Sequence, residues 1–539
     1  MKHPFWVIVL LLGIFFVQVN LSMRQKSATF DEVSYLPASY AYLVTGRLKM
    51  EPIQPPLSKV LYGMPLLLLN LKGPWEFASW RDPVVYGDPY IFGKEFLYHS
   101  GQDADKILLF GRLVSVLLAV ILGWFVYVWS RDLYGAGPGL FSLFLYVFSV
   151  NIIAHSGLAT TDIVLCCFAL ITMYYFWLLH KRPCGHGILL SGALLGLSLL
   201  TKLSAVILIP VLFVLSFVKF KHKLAVILPI ALITFFTIWL GYGFEFGPAL
   251  QPEETHPSAV KFLLNYFPPG RVPAVINLLE KTRLPFPSFF AGIVTFWPKR
   301  DTFFMGRNLL GAPWYGHIWA FLLKTPASLF VLILVSVLVF LRKSKIQRGD
   351  EKFLLYPVIG FFIMTMLRPI SVQLRYLLPV YPFLFVFAGQ VINSRPVRRL
   401  PVKLGLILIC LWYVVSGLAA YPHYLAYFNE FAGGPANGYK YLVDSNLDWG
   451  QDLKLLKEYV TDNKIEKINL AYFGTAQPDY YKIKYKKLEP FQESSGWIGL
   501  SATFLQGAHT AKGGFDWLKK YEPVANLGHS IFIYNIKET

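Results

Sequence analysis

The chain has 539 residues, 55% of them hydrophobic, 17% aromatic and only 15% charged, with a formal net charge of +19 and a mean hydropathy of +0.49. That composition excludes an ordinary soluble enzyme and points to a polytopic membrane protein. The charge does not signal nucleic acid, because Lys and Arg cluster in short loops between apolar stretches, as in the positive-inside pattern.

A membrane-spanning helix takes about 20 mostly apolar residues. Eleven stretches read as spans: 6–21, 107–129, 138–154, 162–179, 187–201, 203–218, 224–242, 317–341, 353–367, 376–392 and 402–420. No small-residue cleavage site follows the first, so it reads as an uncleaved helix rather than a removed signal. With the N-terminus inside, the cytoplasmic connections carry Arg131; Lys181 and Arg182; Lys219, Lys221 and Lys223; Arg342, Lys343, Lys345, Arg348 and Lys352; and Arg395, Arg398, Arg399 and Lys403. The short outer connections carry little, namely Lys202, Arg368 and Arg375. This bias requires 187–218 to cross twice around Lys202, and it leaves the C-terminus outside the cytoplasm. Cys166, Cys167 and Cys410 lie in apolar stretches and Cys184 in a basic loop, so no disulfide framework or zinc site is indicated.

Three long segments then share the outer face. The first, 23–106, holds Thr29-Phe30-Asp31-Glu32 and Pro55-Pro56. Its apolar run 57–71, interrupted by Lys59 and Pro65, reads as an interfacial helix. The second, 244–316, is rich in Pro, Phe and Trp and carries Lys299, Arg300 and Arg307. It suits a lid or a lipid-headgroup site, or simply anchors the interface. The third, 421–539, is less apolar, with strands expected at 468–473, 497–504 and 530–536 and helices at 449–460 and 515–521. The expected architecture is an all-α polytopic bundle of about eleven transmembrane helices over 1–420 and a small α/β extracytoplasmic domain over 421–539.

Ionisable groups at a membrane boundary are expensive and invite a functional reading. Asp31 and Glu32 sit just beyond the first span, although Thr29 and Glu32 also fit a capping box. Asp162 opens the fourth span after Thr160-Thr161, where an N-cap is the plain alternative. Two outer-face carboxylates, Asp31 and Asp162, can share a substrate or a divalent cation. Lys202, Lys324, Arg368 and Arg375 form a set of outer-face cations suited to a phosphate, although Lys324 can equally snorkel to the interface. In the tail, Asp444, Asp448 and Asp452 read either as helix caps, with Ser445 and Asp448 as a capping box, or as acceptor-binding carboxylates. Carboxylates and cations on one membrane face fit a transfer reaction. A lipid-linked phosphosugar places its phosphate on the cations, and a carboxylate deprotonates the acceptor hydroxyl.

The motifs and their order resemble the GT-C superfamily of polyprenol-phosphate-dependent glycosyltransferases, in the branch of protein O-mannosyltransferases and the bacterial lipid A aminoarabinose transferase. Phe30-Asp31-Glu32, Pro55-Pro56-Leu57, Thr161-Asp162, Lys324-Thr325-Pro326 and Arg375-Tyr376-Leu377-Leu378-Pro379-Val380-Tyr381-Pro382 carry the resemblance across the membrane part. The tail, from Tyr421-Pro422 through Asp444 to Asp452, is similar to that of bacterial members. The resemblance implies that Asp31 is the base, that Glu32 orients it or binds substrate, that Asp162 is the second acid, and that Arg375 and Lys324 meet the lipid phosphate. It also implies a donor cavity open to the bilayer and inversion at the sugar. Gln54 stands before Pro-Pro where relatives often carry a charged or His residue; it can hydrogen-bond but brings no charge. The expected partners are a polyprenyl-phosphate sugar, membrane lipids and an acceptor that is a protein, a lipid or a glycan, at the cytoplasmic membrane. A transporter or flippase of a lipid-linked saccharide is the alternative. It would place ionisable groups near mid-bilayer, whereas here they gather at the rim.

Overall fold

Apolar periodicity translates directly into helix. The computed structural model describes residues 5–537 except 49, 52, 82–87, 220–222, 251–267, 297–299, 344–348, 368–370, 395, 397 and 398. Every apolar stretch expected to span is helical over most of its length. Among the described residues, five helices are long and apolar enough to cross a membrane: Phe5–Arg24, Ala104–Tyr134, Thr161–Lys181, Lys223–Gly241 and Leu400–Ala419. Counting two bent pairs as single spans raises the number to seven, and four further apolar helices are shorter. Leu224, Leu228, Leu232, Phe236 and Leu240 form one exposed row on their helix. Such a row is unfavourable in water and natural against lipid, as expected of a multi-pass membrane protein.

Two expected spans are broken. Ala136–Val147 and Val150–Ser156 meet at 63°, and Gly316–Lys324 and Ala327–Leu341 at 107°. The second break falls at Thr325-Pro326. Proline lacks an N–H and pushes the residue before it out of the helical region, so 317–341 is two helices rather than one.

Contacts among the described residues bring four of the five basic connections together. Lys181 pairs with Asp350 and Lys343 with Glu351, each at 2.6 Å. Asn393 donates to the Tyr134 carbonyl at 2.6 Å. The first long segment folds into Glu32–Thr45, Pro56–Leu66 and Pro89–Tyr98. The interfacial helix expected over 57–71 therefore starts one residue earlier and stops near Pro65. Helices Glu32–Thr45 and Pro89–Tyr98 cross closely because position 93 is glycine: a Cβ there would lie 1.9 Å from the Val33 carbonyl.

The C-terminal part holds a five-stranded sheet in the order Tyr485–Lys487, Ile468–Ala471, Gly496–Ser501, Ile531–Ile536, Ala525–Leu527. The first two pairings are parallel and the last two antiparallel. Three of these strands were expected; the two outermost, each three residues long, carry too little alternation to read. The helix expected at 449–460 runs Leu453–Asp462, with Asp452 as N-cap, and 515–521 contains a 3-10 turn, Asp516–Lys520. The Ser445–Asp448 capping box does not form: Asp444–Asn446 is a 3-10 turn and Ser445 caps nothing.

Candidate active site

The turn 26–31 leaves the first helix and is held from two directions. Ser27 N–H donates to the Gln451 carbonyl at 2.9 Å and Phe30 N–H to the Trp449 carbonyl at 2.8 Å, so the C-terminal part lies directly on it. From the bundle, Arg112 reaches in. Its guanidinium donates to both Glu32 oxygens at 2.8 and 2.7 Å and to the carbonyls of Met23, Lys26 and Ser27 at 2.8, 3.0 and 2.7 Å. Glu32 also accepts from Ala159 N–H, Thr29 N–H and the Thr29 hydroxyl. Burial pushes the Glu32 carboxyl up, but Arg112 and these donors outweigh it and hold the group below the usual carboxylate range. Half of the expected capping box thus forms, Glu32 back to Thr29 N–H, but the N-cap of the helix is Asp31. With every oxygen occupied and no exposure, Glu32 braces the turn instead of facing a substrate.

Asp31 is different. Its side chain is 14% exposed, and Arg375 NH1 donates to its Oδ2 at 2.7 Å. Its Oδ1 accepts no hydrogen bond among the described residues. Arg375 is held in turn: Nε donates to Gln373 Oε1 at 2.7 Å, and its face lies 4.6 Å from the Trp449 ring. NH2 makes no hydrogen bond among the described residues, so one edge of the guanidinium faces the site. The field of Arg375 acts on both Asp31 and Asp162.

Asp162 is buried at the start of Thr161–Lys181, where it accepts from Lys202 Nζ at 2.5 Å and from the Thr160 hydroxyl at 3.0 Å. Lys202 also lies 5.0 Å from the Tyr376 ring. Asp31 and Asp162 therefore each hold a cation of their own. Among the described residues no three His, Cys, Asp or Glu side chains converge as a metal-holding group. Among the described residues, Asp31 and Asp162 gather no third donor for the divalent cation that two outer carboxylates suggested.

Lys324 corrects an expectation. Its ammonium donates to the carbonyls of Leu425 and Tyr427 at 2.9 and 3.0 Å and also to that of Asn446. Its three donors are spent on main chain and it is 2% exposed, so it staples the tail to the bundle and has none left for a phosphate. Arg368 lies outside the described residues. Gln54 is buried, and its Oε1 has no hydrogen-bond partner among the described residues. It lines a small cavity with Tyr35, Ser39, Ser58, Lys59 and Thr161.

Of the tail carboxylates, Asp452 is fully buried among Lys26 Nζ at 2.6 Å, the Ser530 hydroxyl at 2.6 Å and Gln451 Nε2 at 3.0 Å. Asp448 is fully buried beside Thr503 N–H at 3.0 Å. Neither can touch an acceptor in this arrangement. Asp444 alone reaches the site, accepting from Gln373 Nε2 at 3.1 Å.

The sequence reading missed Glu51 as a site residue and took Lys59 only as an interruption of an apolar run. They pair at 3.1 Å. Burial pushes the Glu51 carboxyl up, with nearby Asp31 adding to the rise, and pushes the Lys59 amine down. The charge inside the apolar stretch was the available signal for Lys59. His155, buried with Nδ1 unpartnered among the described residues and its ring 6.5 Å from that of Trp449, gave no signal beyond being polar in an apolar segment.

Residues 107–240, about a quarter of the chain, match the family model described as dolichyl-phosphate-mannose-protein mannosyltransferase. A stretch of 93 residues is 33% identical to dolichyl-phosphate-mannose–protein mannosyltransferase 1 of Candida albicans, covering 17% of this chain and 10% of that protein. The chain thus matches only about a tenth of the length of that curated relative. In three dimensions the chain is similar to ArnT from Cupriavidus metallidurans, in a crystal structure bound to undecaprenyl phosphate, with a TM-score of 0.51 at 12% identity, covering 99% of this chain and 98% of that one. It is also similar to the oligosaccharyltransferase AglB from Archaeoglobus fulgidus, with a TM-score of 0.48 at 12% identity, covering 95% and 72%. The chain has the fold of ArnT, and its sequence match is to mannosyltransferases, as the GT-C resemblance implied. Asp162 and Lys202 lie inside the matched stretch; Asp31, Arg375 and the C-terminal part lie outside it.

Proposed function

We propose that this chain is an inverting glycosyltransferase that moves one monosaccharide from a polyprenyl-phosphate carrier to an acceptor hydroxyl, on the outer face of the cytoplasmic membrane. The observation that carries the reading is the Asp31–Arg375 pair. It joins an accessible carboxylate to a guanidinium, each with a side unpartnered among the described residues, at one end of a membrane bundle. Asp31 Oδ1 takes the proton from the acceptor hydroxyl as its oxygen attacks the anomeric carbon. The bond from that carbon to the phosphate oxygen breaks on the opposite side, which inverts the centre. Charge developing on the departing polyprenyl phosphate is met by Arg375, whose planar fork suits phosphate oxygens. Asp162 and Lys202, buried and paired, shape the floor. The mannosyltransferase match over 107–240 and the ArnT fold support this reading.

In this topology the N-terminus is cytoplasmic, the four shorter apolar helices complete eleven crossings, and 421–539 is an extracytoplasmic domain. The acceptor is a protein, a lipid or a glycan.

The test is transfer from radiolabelled polyprenyl-phosphate sugars by purified protein, with membrane extract as the acceptor source. Asp31→Asn keeps the shape and the Arg375 contact but removes the base, so label should move only with wild type. Equal transfer by Asp31→Asn would remove Asp31 as the base. Lipid moved between leaflets with no sugar transfer would favour a flippase.

A further inference from the structure

Asp31 and Arg375 belong to the bundle, yet part of what holds them comes from the tail. Two separate arms run from His509 to Asp31. Along the polar arm His509 Nε2 lies 3.4 Å from Asp444 Oδ2. Asp444 accepts from Gln373 at 3.1 Å, Gln373 accepts from Arg375 at 2.7 Å, and Arg375 donates to Asp31 at 2.7 Å. Along the aromatic arm the His509 ring stacks on Phe473 at 5.3 Å and 16°. Phe473 stacks on Phe30, the neighbour of Asp31, at 5.4 Å and 23°. The Thr475 hydroxyl fixes the Phe30 carbonyl at 2.7 Å. Asp444 and His509 both stand at positive φ, each at 57°, a conformation that costs a non-glycine residue and persists where surrounding structure enforces it.

We propose that His509 and Asp444 are positioning residues for transfer: through Gln373 and Phe30 they set the orientation of Arg375 and Asp31, so that the C-terminal part is a working component of the active site. This rests on the functional reading above. Asp444 also makes the proposal sensitive to pH. The hydrogen bond to Asp444 raises the His509 pKa against the opposing effect of burial, with Asp301 adding to the rise and Arg300 opposing it. Those three charged groups act on the imidazole, which lies against Asp444 and the Phe473 face. The charge-assisted contact is present while His509 is protonated and is lost as pH rises through that raised pKa.

The experiment compares full-length wild type, His509→Ala, His509→Gln and Asp444→Asn in transfer from a polyprenyl-phosphate sugar, recording kcat and KM between pH 5.5 and 9. Hydrogen exchange of the peptides over 28–35 and 371–377 is read on the same samples. His509→Ala and Asp444→Asn should lower kcat about tenfold, the effect of one lost charge-assisted hydrogen bond, with KM for the lipid donor nearly unchanged. His509→Gln keeps a donor without a titration, so it should retain most activity at pH 6.5 while losing the alkaline fall of the wild-type profile. Wild-type kcat and an intact alkaline limb in His509→Ala would overturn the proposal. If His509→Ala aggregates, the limb in His509→Gln decides alone. If wild type transfers no sugar, the functional reading fails. Exchange then still decides the positioning role: faster exchange at 371–377 in His509→Ala supports it, and unchanged exchange overturns it.

Discussion

Arg112→Met probes the brace beneath Asp31. The substitution removes both guanidinium contacts to Glu32 and the donors to the Met23, Lys26 and Ser27 carbonyls, while a similar volume keeps the helix packed. Glu32 retains three of its five donors, from Ala159 and Thr29, but loses its countercharge at a site without exposure. Breaking a buried pair from one side typically costs about 3–5 kcal/mol. With an unfolding entropy of about 2 cal/mol/K per residue, a chain of this length should lose roughly 3–5 °C in apparent Tm. A thiol-reactive dye follows this in detergent, because Cys166 and Cys167 are buried and react only on unfolding, whereas exposed Cys184 reacts at once. The double variant Arg112→Met/Glu32→Gln removes the stranded charge and should recover a substantial part. The folded-state pKa of Glu32 is depressed, so its contribution is present above the ordinary carboxylate pKa and fades as pH falls through the folded value. The Arg112→Met deficit should therefore shrink toward acid. Wild-type Tm in the single variant, or a double variant as unstable as the single one, would refute the brace.

Other outcomes follow from the same geometry. Lys324→Met should lower stability by about 2–4 kcal/mol, because three buried carbonyls lose their donor, while leaving KM for the lipid donor unchanged in the transfer assay; a KM rise with full stability would restore Lys324 to the phosphate. Burial pushes the Asp448 pKa up to about 7 from 3.8. The folded state therefore binds the extra proton between those values, and stability should fall as pH rises from about 4 to 7. Asp448→Asn should flatten that slope in a Tm-against-pH series. Because Asp31 and Asp162 already hold Arg375 and Lys202, transfer should survive prolonged chelation with EDTA, and loss of activity restored by added divalent cation would contradict the paired-cation account.

The membrane helices were legible because their signal is local: twenty apolar residues announce themselves wherever the chain later packs. The break near Phe148 was not, since no proline marks it, whereas the one at Thr325-Pro326 carried its signal in the proline itself. Asp31 was legible as a charge beside a span. Its partner Arg375, 344 residues away, was legible only as one of four outer cations, which the resemblance narrowed to Arg375 and Lys324. What separates Arg375 from Lys324 is where each donor ends up: one meets a carboxylate and keeps an edge open, the other is spent on three carbonyls. No property of either residue's neighbours in sequence decides that.

The tail shows why the acidic motif misled. Asp444, Asp448 and Asp452 read either as helix caps, with Asp448 and Asp452 one helical turn apart, or as acceptor-binding carboxylates. The chain instead turns through a 3-10 segment at Asp444–Asn446 and starts its helix only at Leu453. The three carboxylates then go to three places: the site edge, a buried position beside Thr503, and the ion pair with Lys26. Gly450 permits this divergence. It stands at φ 81° with its carbonyl taken by the hydroxyls of Ser27 and Tyr472, and a Cβ there would meet the Gly474 Cα at 2.8 Å. The tight turn lets Trp449 lie under Arg375 while Gln451 and Asp452 hold the turn that carries Asp31. The motif is thus read best as the clamp between the tail and the base, which is why Asp444, the member left at its edge, is the one that reaches the chemistry.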